Sequence, residues 1–263
     1  MSRLLRAEVS KLRTVWSTWV LLGVTAVVVG GIMTLVGFAP HRRGVTDLLF
    51  PARGTAVWFD SALSVMTIAI DLALVLGVIM TTGEFRHKTV TPTFLVEPRR
   101  GRVVASKLVV GGGGGLVVAA VAGAVGLVFG FAVVGGGIGT AGRMLTEYRH
   151  VWPGVAAASV LFGLYGVGLG ALLKNQAVSL AVGLGASAVV EPIVTAALPS
   201  VGRWLPGQAA QALESVTARP QASGFGTSVV HLVPWWAGAL VLLGYGVVLA
   251  TAGTLTTVRG DVT

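Results

Sequence analysis

The stretch LVVGGGGGLVVAAVAGAVGLVFGFAVVGGGIGTAG, residues 108–142, runs for 35 residues without a charged side chain and opens on five consecutive glycines, 111–115. A glycine run can cradle a phosphate, act as a flexible linker, or form part of a membrane span. A phosphate-binding loop needs a lysine to reach the phosphates and a hydroxyl for magnesium, in the order G-x-x-x-x-G-K-[ST]. Here Leu116, Val117 and Val118 follow the glycines. A linker would be polar around its glycines, whereas this stretch is apolar on both sides. In lipid, by contrast, glycines let helix backbones approach closely, and packing is what drives association there. The run therefore reads as a packing surface or bend near one end of a membrane helix.

Composition points the same way. Of 263 residues 54% are hydrophobic and only 11% charged, against about 25% charged in soluble domains. Mean hydropathy is +0.84. Too few charges exist to cover a water-exposed surface, so lipid is the expected solvent. The net charge of +9 sits in basic residues beside apolar runs, which fits anionic headgroups better than nucleic acid. There is no cysteine, which excludes disulfides and thiolate metal sites. Near the N-terminus, residues 14–40 carry no charge. That run is longer than the ~7–15 residues of a signal-peptide core, so it reads as a retained span.

A hydrocarbon core about 30 Å thick takes about 20 apolar residues in helix. Runs of that size predict spans near 17–38, 60–82, 105–134, 153–173, 177–198 and 233–256, in one domain over 1–263. The expected fold is an all-α integral membrane protein, because barrel strands would be shorter and alternating. The lysines and arginines fix an orientation. With the N-terminus in the cytoplasm, Arg3, Arg6, Lys11, Arg13, Arg86, Lys88, Arg99, Arg100, Arg102, Lys107, Lys174 and Arg259 lie inside. Arg42, Arg43, Arg53, Arg143, Arg149, Arg203 and Arg219 lie outside, so every lysine is inside. Both termini are then cytoplasmic in a multi-pass cell-membrane protein. Trp16 with Trp19, and Trp235 with Trp236, mark opposite interfaces.

The N-terminus forms an interfacial helix over 2–15 when wound at 3.6 residues per turn. Leu5, Val9, Leu12 and Trp16 share one face, and Arg3, Arg6 and Arg13 the other. Between the fifth and sixth spans, PSVGRWLPGQAAQALESVTARPQASGFGTSVV (199–230) is too apolar for a plain loop. Pro206 and Pro220 bracket a short helix there, near 208–218. Two carboxylates fall well inside spans, away from their ends: Asp71, and Glu191 just before Pro192. Such groups face a cavity or a partner, which makes them candidates for a translocation path. For Glu191 the start of a re-entrant region is preferred to a proton relay, since the sequence places no second acid or histidine beside it. Ser187 with His231 is a weak serine-nucleophile pattern, and small residues at that spacing are the mark of helix packing.

Residues 81–107, TTGEFRHKTVTPTFLVEPRRGRVVASK, mix charges with the apolar patch Phe94, Leu95 and Val96. Apolar anchors flanked by charges are the pattern of a docked segment. On Gly83-Glu84, Thr89, Thr91, Leu95, Pro98-Arg99-Arg100 and Lys107, the chain resembles permeases of the type-2 family of ATP-binding-cassette exporters. The N-terminal LLRAEVSKLRTVWSTW and the C-terminal basic-acidic ending at Arg259 and Asp261 are similar too; Gly260 and Lys88 depart from the pattern.

The resemblance implies a six-span permease that dimerises with a second copy or a paralogue and sits on a dimer of cytoplasmic ATP-binding subunits. ATP and magnesium would be held by that partner, with no cofactor or metal on this chain and no catalysis by it. The interfacial helix would carry Glu8, Lys11, Leu12 and Arg13. Loop 83–104 would be the coupling element through Glu84, Arg86, Thr89, Phe94, Leu95, Arg99 and Arg100. A re-entrant segment would precede the last span, and a hydrophobic or amphipathic substrate would leave the cytoplasm. An immunity or assembly factor, or a secondary transporter, is the alternative.

Overall fold

A computed structural model describes residues 2–38, 55–87, 100–132, 137–214, 221–223, 226–228 and 232–259. The protein is an all-α membrane architecture. Six helical segments are long and apolar enough to cross a bilayer: Trp16–Gly37, Trp58–Arg86, Gly101–Phe129, Val151–Leu173, Gln176–Ala197 and Trp235–Leu255. Each begins or ends within a few residues of its expected span.

The first two helices are α1 (Ser2–Thr14) and α2 (Trp16–Phe38). A short α3 (Ala56–Ser64) leads into α4 (Thr67–Arg86), and α5 (Arg100–Ala132) is one unbroken helix. At 1.5 Å per residue α5 is about 50 Å long, more than the hydrocarbon core, and its helix runs through the glycines without a break. Next come α6 (Gly137–Thr146), α7 (Val151–Leu173) and α8 (Gln176–Gly185). Lys174 joins α7 to α8 in the left-handed conformation, φ 55°, and the Asn175 side chain then caps α8 by accepting from the Val178 amide. A π turn (Ala186–Val190) carries α8 into α9 (Glu191–Ala197). The wider turn takes up the backbone mismatch at Pro192, which has no amide to donate.

Short helices α10 (Pro199–Gly202) and α11 (Pro206–Glu214) follow, then a small antiparallel pair, β1 (Gln221–Ser223) with β2 (Gly226–Ser228), and finally α12 (Trp235–Arg259). The helix expected near 208–218 is thus Pro206–Glu214; residues 215–220 lie outside the described ones. Rather than looping away, α11 is buried, with Gly154 of α7 against the Leu213 carbonyl and Gly238 of α12 against that of Ala209.

α7 is the most enclosed of the six spans and Gln176–Ala197 the least. Glycines make the centre possible. A Cβ on Gly77 would strike the Gly163 carbonyl, and one on Gly166 the carbonyl of Leu74, so α4 and α7 touch backbone to backbone. The glycine run does the same for α5. Gly115 meets the Ser159 carbonyl of α7, Gly111 meets Val167, and Gly114 meets Leu76 of α4. Gly113 alone of the five meets nothing within 4 Å and lines an apolar groove of about 500 Å³ between α5, α7 and α12. Around these contacts lie two apolar clusters. One is built on Val29, Trp58, Phe59, Met66 and Val118, the other on Ile70, Leu74, Phe162, Leu213 and Leu242. Trp16 (79% exposed) and Trp235 (66%) stand out at opposite ends of the bundle.

Candidate functional site

The residues with the most to say about function meet where α1, the end of α4 and the start of α5 converge. α1 supplies Glu8 and Lys11, one turn apart and on neighbouring faces. α4 supplies Glu84 from its last turn, and α5 supplies Lys107 two turns in. Glu84 Oε1 accepts from Lys11 Nζ and from Lys107 Nζ, each at 2.6 Å. Glu8 Oε1 accepts from Lys11 at 2.9 Å, and Lys107 Nζ donates to both Glu8 oxygens, at 3.3 and 3.2 Å. Two carboxylates and two ammonium groups thus close a charge-balanced quartet. Glu8, Glu84 and Lys107 are buried; Lys11 keeps 45% of its side chain exposed.

Burying such charges is tolerable only because each has a partner, and removing one partner of a buried pair costs about 3–5 kcal/mol. The quartet is therefore a clamp with one geometry. Burial opposes the charge on Lys11, but the hydrogen bonds and charges of Glu84 and Glu8 outweigh it and raise the amine above its ordinary value.

The clamp revises the expected face of α1. Glu8, with half-buried Leu5 and Leu12, faces the bundle, while Val9 and Trp16 point away from it and are free to meet lipid. Arg13 is exposed, and its carbonyl accepts from Trp19 Nε1 at 2.9 Å, tying the α1–α2 corner. Expected loop 83–104 is also shorter at both ends. Glu84 and Arg86 belong to α4, and residues 100–104 belong to α5. The reason is that Glu84 has an interior partner in Lys107 and so extends the helix. Arg86 donates to Gln176 Oε1 at 3.5 Å, which sets the start of α8 beside the end of α4. Thr89, Phe94, Leu95 and Arg99 lie outside the described residues, and Arg100 opens α5.

At the opposite end, the Glu191 carboxylate accepts from the Gly207 amide at 2.7 Å and also faces the Gln208 amide. It thus caps α11 from sixteen residues away, placing negative charge at the positive end of the helix. Sequence alone left Glu191 without an acidic neighbour; the fold supplies one, Asp71. Asp71 acts electrostatically on both Glu191 and Glu214. Glu214 is only 5% exposed, and its Oε1 has no hydrogen-bond partner. Reading by spans missed it, because it sits in the proline-bracketed segment. Ser187 donates to the Gly183 and Leu184 carbonyls of its own helix, and His231 lies outside the described residues.

Comparison with protein-family models, with curated proteins and with solved structures finds no match.

Proposed function

We propose that this chain is the transmembrane permease subunit of an ATP-binding-cassette exporter, driven by ATP hydrolysed on a separate subunit. The observation that carries the reading is the buried quartet. Residues 88–99 connect the last turn of α4 to the first of α5, and Glu84 with Lys107 lock those two ends together and to α1. A push on that segment is therefore delivered to two spans and the N-terminal helix as one unit. This is what a coupling element requires, and it is where the resemblance to type-2 permeases is densest.

In this reading the N-terminal end of the bundle faces the cytoplasm, as the excess of lysine and arginine there favours. The segment around Phe94 and Leu95 docks on the ATPase, α1 lies along the membrane surface, and α10–α11 form a re-entrant element at the far side. A second permease, copy or paralogue, completes the pathway.

Apolar anchors at an interface commonly cost about 2 kcal/mol or more when truncated. The double variant Phe94→Ala with Leu95→Ala is expected to lose ATPase copurification and export while still inserting in the membrane. Unchanged copurification and export would remove this segment as the coupling element. A secondary transporter is the competing reading, favoured by the intramembrane carboxylates; it predicts transport by the purified chain with no ATPase present.

A further inference from the structure

We propose that the groove between α5, α7 and α12 seats an anionic phospholipid, with an acyl chain lying in the groove and the phosphate held by Arg102. Such a site is independent of the exporter reading.

Glycines shape the groove. Gly112 of α5 closes on α7, where an added Cβ would meet Val160 Cγ1 at 3.3 Å, and Gly246 of α12 closes on Leu164, where one would meet Cβ at 3.2 Å. Both helices thus press on one stripe of α7, and their larger side chains rise on either side of it. Val109 and Leu116 (59% and 50% exposed) form the α5 wall, Leu243 and Val247 (43% and 46%) the α12 wall. Gly113 leaves the α5 wall open between its two bulky residues, since a Cβ there would meet nothing within 4 Å. The space enclosed, about 500 Å³, is within the size range of ligand sites.

The occupant follows from shape, lining and charge. Every residue of the lining is apolar or glycine, so the part that lies there is apolar as well. From Leu108 to Leu116 the groove runs about 12 Å along α5. A helix about 10–12 Å across would take up roughly twice the available volume over that length, whereas an acyl chain is slender enough to lie within it. Charge then names the head. Arg102 is exposed and shares the face of α5 with Val109, Gly113 and Leu116, at i, i+7, i+11 and i+14. It stands about 9 Å before Leu108 along the helix axis. That rise spans a headgroup layer of about 5–8 Å, so a lipid whose phosphate meets the guanidinium sends its chain into the groove. Arg86 at the end of α4 and Lys174 at the end of α7 stand at the same end of the bundle, where Arg86 reaches Gln176. An anionic head is therefore favoured there over a zwitterionic one.

The test is native mass spectrometry of the purified full chain equilibrated with equal amounts of dioleoylphosphatidylglycerol and dioleoylphosphatidylcholine, which share chains and differ in head charge. The wild type is expected to retain a single lipid, with phosphatidylglycerol preferred about fivefold or more, the worth of one basic residue at a membrane surface. Excess inorganic phosphate should not displace it, because the acyl chain supplies part of the hold. Arg102→Gln should bring the two lipids to equal retention, while Arg13→Gln, at the same end of the bundle, leaves the preference intact. Gly113→Leu, which fills the groove, should lower retention of both. Equal retention of the two lipids by the wild type, a readout that needs no variant to fold, would overturn the proposal. So would displacement by phosphate alone, a preference lost equally with Arg13→Gln, or retention unaffected by Arg102→Gln and Gly113→Leu. A wild-type dimer that carries no lipid and is separated by Gly113→Leu would make the groove an interface between copies, and would overturn it as well.

Discussion

Lys107 is the residue on which most of the clamp depends, since it donates to both carboxylates from a buried position. Lys107→Ala leaves Glu8 and Glu84 with only half-exposed Lys11 between them. It is expected to destabilise the folded chain by about 3–5 kcal/mol, read as a lowered unfolding midpoint in detergent. Adding Glu84→Gln to Lys107→Met should recover most of that loss, because Glu8 and Lys11 then remain as a neutral pair. No recovery would mean that packing, and not charge balance, is what Lys107 supplies. Lys11 titrates above its unfolded value, so its stabilising charge is complete below the ordinary 10.5 and is lost as pH rises through the raised value. The gap in unfolding midpoint between wild type and Lys11→Met should hold constant from neutral pH into the mildly alkaline range and close only beyond it. Little of this was legible beforehand. Glu8 and Lys107 are 99 residues apart, and nothing local pairs them. The one available signal was positional: Glu8 falls with Leu5 and Leu12 at i, i+3 and i+7, a core position for an acid.

At the scale of the element, the glycine run divides into positions that touch and one that does not. A Cβ at Gly115 would collide with the Ser159 backbone, which has no room to yield, whereas one at Gly113 meets nothing within 4 Å. Gly115→Val should force α5 from α7 and lower the unfolding midpoint sharply. Gly113→Ala should be neutral or stabilising by up to about 1 kcal/mol, from helix propensity. If the two behave alike, the run is a flexible segment and not a packing surface. α11 depends on Glu191 in a comparable way. Glu191→Ala frees the Gly207 amide and should cost about 0.5–2 kcal/mol, as the loss of a cap does. Hydrogen exchange should then quicken over 206–214 and leave α7 unchanged. The elements themselves were readable because a run of twenty apolar residues has one solution in lipid. The Glu191–α11 contact was not, because a cap supplied from a distant turn leaves no mark on local spacing.

For the whole molecule, the proposal that both termini lie in the cytoplasm rests on six spans and the distribution of basic residues. The absence of native cysteine makes this simple to measure. An impermeant maleimide applied to intact cells should fail to label Ser2→Cys and Thr263→Cys, and should label both once the membrane is opened. The span boundaries were legible from charge and length, while the way the spans pack was not. That packing is set by glycine-to-carbonyl contacts such as Gly77 to Gly163 and Gly166 to Leu74, which no periodicity encodes. The central claim, that this bundle is driven by a separate ATPase, is tested most directly by purifying the chain from its native membrane in mild detergent. Subunit composition and ATP hydrolysis would be measured before and after the partner is stripped away. The account predicts a nucleotide-binding subunit in equal number with the permease chains, ATP hydrolysis by the complex, and none by the stripped chain. A chain that purifies alone from membranes in which it is active, or that hydrolyses ATP after stripping, would contradict it.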